Sequence, residues 1–260
     1  MRIAVVGHTG TVGRCVYDWY WRHGERMSGY SLDAPVWDWQ GADWVFICVP
    51  TPDGPEIVRE CVGRIVGRPV VIIKSTVPPG TCDALAAEFP HLTILHNPEF
   101  LSAATALGDF NAPVRQIVGG EDTFLCRRVL ATLPIGDREI ICTRAQAETL
   151  KYMHNTFGAL MVVYCNLFAD VCAQAGADWE DTRAMAASEW LPRETLERYG
   201  TIWHDGKRGF GGACFPKDTR ALLAHCQAHG IGAELLEGLL RHNERLLTEA
   251  TETWTKGHGS

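Results

Sequence analysis

The run Arg2-Ile-Ala-Val-Val-Gly7-His-Thr-Gly10-Thr-Val-Gly13 constrains the chain more than any other. Residues 2–6 suit a short buried strand, and an amphipathic stretch begins at Arg14. A strand that turns through glycines into a helix is a dinucleotide-binding fingerprint. The glycines permit a tight turn and close approach of a pyrophosphate, and the helix N-terminus faces the phosphates. Gly7, Gly10 and Gly13, with Thr11 and Val12 between them, are therefore candidate cofactor-binding residues. The competing reading is a plain glycine turn of an α/β protein.

Further short apolar runs follow at the intervals of a strand–helix alternation. Tyr30-Ser-Leu-Asp33 reads as a second strand ending in an acid. An acid there binds both ribose hydroxyls and repels a 2′-phosphate, so Asp33 favours NAD over NADP. Residues 42–52 give a third strand that ends at Val49-Pro50-Thr51-Pro52. Residues 68–81 give a fourth, running into Ser75-Thr76-Val-Pro-Pro-Gly-Thr81. Leu92 to Leu101 adds another strand, followed by Asn97-Pro98-Glu99-Phe100-Leu101, and Pro113 to Gly120, with Arg115, adds a sixth. Ligands of open α/β sheets gather at the carboxyl ends of strands, where these turns fall. Val49, Pro50, Thr51, Ser75 and Thr76 join the cofactor-binding set on that ground.

After about residue 140 the short strands give way to helical periodicity. Residues 145–175 form one candidate helix without proline, apolar over most of its surface. Such a helix is buried between domains or subunits, which predicts a homodimer built around it. Lys151 and Asn155 stand at i, i+4 on it and share a face. The expected fold class is α/β: an N-terminal Rossmann-like doubly wound sheet over residues 1–142, then an all-helical domain over 143–256 with a long central helix.

The chain has 260 residues, ten cysteines and a net charge of −7. Its length allows one or two domains. The negative charge argues against a nucleic-acid partner. The cysteines lack CxxC pairs, which suits a reducing cytoplasm. The N-terminus enters a strand at once, as in a chain without a signal peptide, and no uninterrupted apolar run of membrane-spanning length is expected. His225 and His229 lie at i, i+4, but with no third ligand they read as a solvated helix face, and no metal site is expected.

The second half carries one more stretch, Gly209-Phe210-Gly211-Gly212-Ala-Cys214-Phe-Pro-Lys217-Asp218. Glycines let the backbone take positive φ and admit a ligand. A cysteine at the end of such a turn is placed as an exposed nucleophile, and a nearby cation raises its thiolate fraction. A small buried hydrophobe before a helix is the bland alternative.

VPTP, STVPPGT, NPEFL, AETLKYMHN and GFGGACFPKD, in this order along the chain, resemble motifs of the UDP-glucose/GDP-mannose dehydrogenase family. The resemblance implies NAD-dependent, four-electron oxidation of a primary alcohol, such as C6 of a nucleotide sugar, to a carboxylate. It implies Cys214 as nucleophile, Lys151 and Asn155 as oxyanion stabilisers, and Asp218 or a Thr76-held water for the proton. Glu99 would serve as base. Substrate contacts would come from Glu99, Phe100, Leu101, Lys151, Asn155, Phe210 and Gly211, with Arg198 reaching a neighbouring subunit's site. The chain departs from the pattern in its GxxGxxG spacing, in Ala103 where a second glutamate is usual, and in Leu167 after Asn166. The resemblance covers about the first two-thirds of a typical member, so the expectation is a short form without the third, nucleotide-binding domain. Two alternatives stay open: a two-electron β-hydroxyacid-type dehydrogenase, and a non-catalytic binding protein derived from a shortened dehydrogenase.

Overall fold

The computed structural model describes residues 1–31, 41–188, 191–204 and 206–248. The chain divides into two compact units, Met1–Lys151 and Tyr152–Ser260.

The first unit is a seven-stranded sheet flanked by helices on both faces. In chain order its strands are β1 (Arg2–Val6), β2 (Arg26–Tyr30), β3 (Trp44–Ile47), β4 (Val70–Ile73), β5 (Thr93–His96), β6 (Arg115–Gly119) and β7 (Arg138–Cys142). Its helices are α1 (Thr11–Arg22), α2 (Glu56–Gly63), α3 (Thr81–Glu88), α4 (Ala106–Asn111) and α5 (Thr123–Leu130). The spatial order is β2-β1-β3-β4-β5-β6-β7. The chain reverses its direction of travel at β1, which has β2 on one side and β3 on the other. That reversal opens a crevice at the carboxyl ends of β1 and β3.

Period-two alternation sends side chains to two cores. Ala4, Val6, Val45 and Ile47 pack with Val58 and Val62 of α2 and Leu85 of α3. Ile3, Val5, Trp44 and Phe46 pack with Val16 and Tyr20 of α1 and with Val129 of α5. Each fully buried branched or aromatic side chain contributes roughly 1.5–3 kcal/mol.

Three boundaries differ from expectation. The second strand ends at Tyr30, earlier than the 30–33 segment, and Asp33 lies outside the described residues. Helix α1 begins at Thr11, inside the glycine motif, because Gly10 already serves as its N-cap. β7 was not foreseen, since Arg138-Glu139 at its start mask the strand signal in a mostly exposed edge strand. The sheet is also mixed: β5 pairs with β6 antiparallel through a single residue pair, His96↔Gly119. β6 and β7 are parallel to each other.

The second unit is helical. Its elements are most of α6 (Arg144–Ala175), then α7 (Trp179–Ala186), α8 (Arg193–Tyr199), α9 (Phe215–Ala228) and α10 (Glu234–Thr248). Ala159, Val162 and Val163 of α6 pack with Phe210 and with Leu239 and Leu246 of α10. Met161, Cys165 and Ala169 pack with Leu196 and Ile202. By length and composition α6 is apolar enough to cross a membrane, with a window of mean hydropathy 1.6 that is half buried in protein. Asn166 and Asp170 interrupt the apolar stretch of this helix. These two polar residues are engaged by Arg208, which is 1% exposed, bonds to Asn166 Oδ1 at 3.1 Å and pairs with Asp170 at 2.7 Å.

Candidate functional site

The glycine turn shows why Gly7 and Gly13 must be glycines. Gly7 has φ +82°, and a Cβ there would lie 2.4 Å from the Cys48 carbonyl oxygen. A Cβ on Gly13 would lie 2.1 Å from the Gly7 carbonyl oxygen, so α1 seats directly on the turn. Gly10 donates to the Gly7 carbonyl at 3.0 Å and meets no obstruction closer than 3.4 Å. Gly10 and Thr11 are exposed, and no side chain caps the first turn of α1. The N–H groups of that turn are left for an anion, the arrangement that a pyrophosphate requires. The GxxGxxG spacing is thus accommodated by starting the helix at the second glycine.

Beside this turn the proline-framed segments are locked together. Ser75 Oγ donates to the Val49 carbonyl at 2.7 Å and accepts from Val49 N–H at 2.9 Å. Thr51 Oγ1 donates to the Thr76 carbonyl at 2.8 Å. Val49, Thr51 and Ser75 are buried, Thr76 is half-buried and Pro50 is exposed. The carboxyl ends of β1, β3 and β4 therefore carry one continuous rim of the predicted cofactor residues. These groups fit a dinucleotide: a glycine cradle that a Cβ would fill, uncapped helix N–H groups, and no acidic residue within the turn itself, residues 7–13.

Further along the same unit, Lys151 Nζ donates to the Glu99 carbonyl at 2.5 Å and stands 3.3 Å from Glu99 Oε1. Glu99 Oε2 accepts from Leu101 N–H at 2.7 Å. The Phe100 ring lies under two cations, Arg115 at 4.0 Å and Lys151 at 5.3 Å from its centroid. Lys151 is 4% exposed. These contacts hold the Lys151 side chain at a fixed place beside Glu99.

The second unit builds a different cluster. Asp218, 1% exposed, accepts from Asn155 Nδ2 at 2.5 Å and pairs with Lys217 Nζ. Cys214 is exposed and is the N-cap residue of α9, one turn before Asp218. The lysine expected to act on the thiol thus pairs with the neighbouring carboxylate. Phe210 is buried, whereas Gly211 is exposed. Arg198 is exposed on α8, its guanidinium 5.8 Å from the Tyr199 ring.

Sequence reasoning missed the residues that hold these groups. Glu148, three residues before Lys151 on α6, accepts from Gly80 N–H and Cys82 N–H, both at 2.7 Å. It caps the start of α3 from outside, and burial pushes its carboxyl pKa up. Arg144, one turn earlier, donates to Asp83 at 2.5 Å, to Glu121 at 2.7 Å and to the Ile94 carbonyl at 3.3 Å. Asn243 of α10 accepts from Phe210 N–H at 2.7 Å and donates to its carbonyl at 3.0 Å, clamping the turn before Cys214. The i, i+4 and i, i+3 spacing of 144, 148 and 151 was the available signal. Asn243 had none, because its partner is 33 residues away.

Residues 33–133 match the family model described as UDP-glucose/GDP-mannose dehydrogenase family, NAD binding domain. Residues 145–245 match the central domain of the same family. The UDP-glucose 6-dehydrogenase of Pseudomonas aeruginosa is 32% identical over 228 residues, covering 78% of this chain and 49% of the relative. Across such relatives the chain spans about half their length. Among solved structures, a UDP-glucose dehydrogenase from Pyrobaculum islandicum superposes with TM-score 0.79 at 25% identity, covering 94% of this chain and 68% of the other. A 3-hydroxyisobutyrate dehydrogenase from Mycobacterium tuberculosis shares the fold with TM-score 0.76 at 18% identity, covering 99% and 94%.

Proposed function

The chain belongs to the UDP-glucose/GDP-mannose dehydrogenase family, and on that premise we propose that it oxidises a primary alcohol of a nucleotide sugar to the carboxylate. When bound, NAD would supply the hydride acceptor, a fresh molecule for each of the two oxidations. The glycine turn and the first turn of α1 hold its phosphates, and Asp33 selects it over NADP. In the first oxidation the alcohol gives its proton to Asp218 or to a water on Thr76, while Lys151 and Asn155 stabilise the oxyanion. The thiolate of Cys214 then adds to the aldehyde carbon, forming a thiohemiacetal. Its oxidation leaves a thioester. Water, deprotonated by Glu99, attacks the thioester carbonyl, and the C–S bond breaks to release the carboxylate and the thiol.

The observation that carries this reading is Cys214, exposed at the N-terminus of α9 with Asp218 and Asn155 paired one turn behind it. Helix N-termini favour negative charge on a sulfur, and a two-electron alcohol oxidation has no use for the thiol. The exposed apolar side of α6 supports the further reading that the protein is a homodimer, within which Arg198 reaches the partner's substrate.

The test is stoichiometry. With UDP-glucose or another nucleotide sugar, two NADH form per alcohol consumed and the product is an acid. Cys214→Ala keeps NAD binding but lowers acid formation by about three orders of magnitude or more. One NADH per substrate, with Cys214→Ala unimpaired, would establish the second reading, a two-electron β-hydroxyacid-type dehydrogenase. That reading draws on the shared fold of the 3-hydroxyisobutyrate enzyme alone.

A further inference from the structure

The proposed chemistry leaves one buried cation unused. Lys74, directly after β4, is 3% exposed. Its Nζ donates to Asn97 Oδ1 at 2.7 Å and to the Asn97 carbonyl at 3.3 Å, and it sits 5.8 Å from the Phe110 ring centroid. Among the described residues its hydrogen-bond acceptors are thus two neutral oxygens of one residue. Asn97, itself fully buried, passes the connection on: its Nδ2 donates to the Ile117 carbonyl of β6 at 2.7 Å. A buried ammonium without a carboxylate in contact is an expensive way to join strands. Burial lowers the pKa of Lys74 accordingly. An apolar residue would fill the space at less cost, so the contact itself needs an explanation.

Its place in the chain supplies one. Asn97 follows His96, whose pairing with Gly119 is the whole of the β5–β6 ladder. Pro98 comes next and has no N–H to donate. Glu99 follows, held by Leu101 N–H and facing Lys151. Between β5 and Glu99, Asn97 is held by its N–H on the Ile73 carbonyl at 2.9 Å, by its Nδ2 on the Ile117 carbonyl and by the strut from Lys74. Of these three, only the strut takes hold of both Asn97 oxygens. We infer that Lys74 is a positioning residue, which clamps both oxygens of Asn97 and so fixes the turn presenting Glu99 to Lys151. Its catalytic consequence rests on the dehydrogenase reading above; its structural consequence does not.

Lys74→Met keeps the apolar stem and removes the ammonium, and Lys74→Arg keeps the charge. Hydrogen–deuterium exchange is compared by mass spectrometry for residues 97–103 and for the glycine turn at 7–13. Lys74→Met is expected to deprotect 97–103 selectively, with the affinity for NAD by calorimetry unchanged within about twofold. In turnover it lowers kcat by about 10- to 100-fold, the penalty for a displaced catalytic group, and Lys74→Arg recovers part of both losses. Should Lys74→Met fail to fold, Asn97→Ala breaks the same contact from the other side and gives the same selective deprotection. Unchanged exchange at 97–103, or equal deprotection of both segments with loss of NAD binding, overturns the inference. Selective deprotection in a protein whose wild type turns over no substrate supports the strut and removes the dehydrogenase reading instead.

Discussion

At position 96 the chain buries an imidazole completely, and neither ring nitrogen makes a well-formed hydrogen bond. Burial, with the Lys74 charge adding to it, pushes the His96 pKa down to about 3, and the Ile73 carbonyl offsets only part of this. The unfolded chain takes up a proton near the ordinary histidine value of about 6.5, whereas the folded chain does not. Stability that is present above pH 6.5 is therefore lost as pH falls towards 3. The slope from this group is at most about 1.4 kcal/mol per pH unit. His96→Leu removes the titrating group and should flatten that limb of stability against pH. Urea midpoints at pH 7, 6 and 5 measure it; an unchanged limb in His96→Leu would mean that other groups carry the acid sensitivity.

Among the elements, α6 shows how one residue seats another helix. A Cβ at Gly158 would stand 2.5 Å from the tip of the Phe215 ring and 3.1 Å from the Tyr199 ring. Phe215 is the first residue of α9 and follows Cys214. Alanine is better than glycine within a helix by about 1 kcal/mol, but overpacking costs about 1–3 kcal/mol. The ring cannot retreat freely, since Phe210 packs edge-on against it with centroids 6.2 Å apart. Gly158→Ala should therefore destabilise the protein in spite of its helix propensity and depress turnover through Cys214. Denaturant unfolding with parallel kinetics checks this, and a net stabilisation would refute it. The sequence exposed much of this level: the long helix, the glycine turn and the strand-end motifs are local patterns of period and turn chemistry. It did not expose the clamps, because Asn243 to Phe210, Glu148 to Cys82 and Lys74 to Asn97 join residues far apart in the chain. Nor did it expose β7, whose exposed edge lacks an alternating pattern.

For the whole molecule, α6 presents Met153, Phe157, Tyr164, Leu167, Phe168 and Val171 at 40–68% exposure. At about 100° per residue these six positions fall on one side of the helix and make one apolar stripe, which the proposed homodimer would cover. Light scattering of the wild type is expected to give twice the mass of one chain. Phe157→Glu with Val171→Glu should give single chains and, if Arg198 acts across the interface, little activity. A fully active monomeric wild type would end both ideas. The lone pair joining β5 to β6 bears on how such a chain comes together. β6, α5 and β7 close among themselves with five register pairs over a short span of chain, so their loop-closure entropy is small. That trio can form on its own and join the parallel strands afterwards. Joining would then follow the folding barrier, and weakening the seam at Asn97 would hasten unfolding while leaving the folding rate nearly untouched.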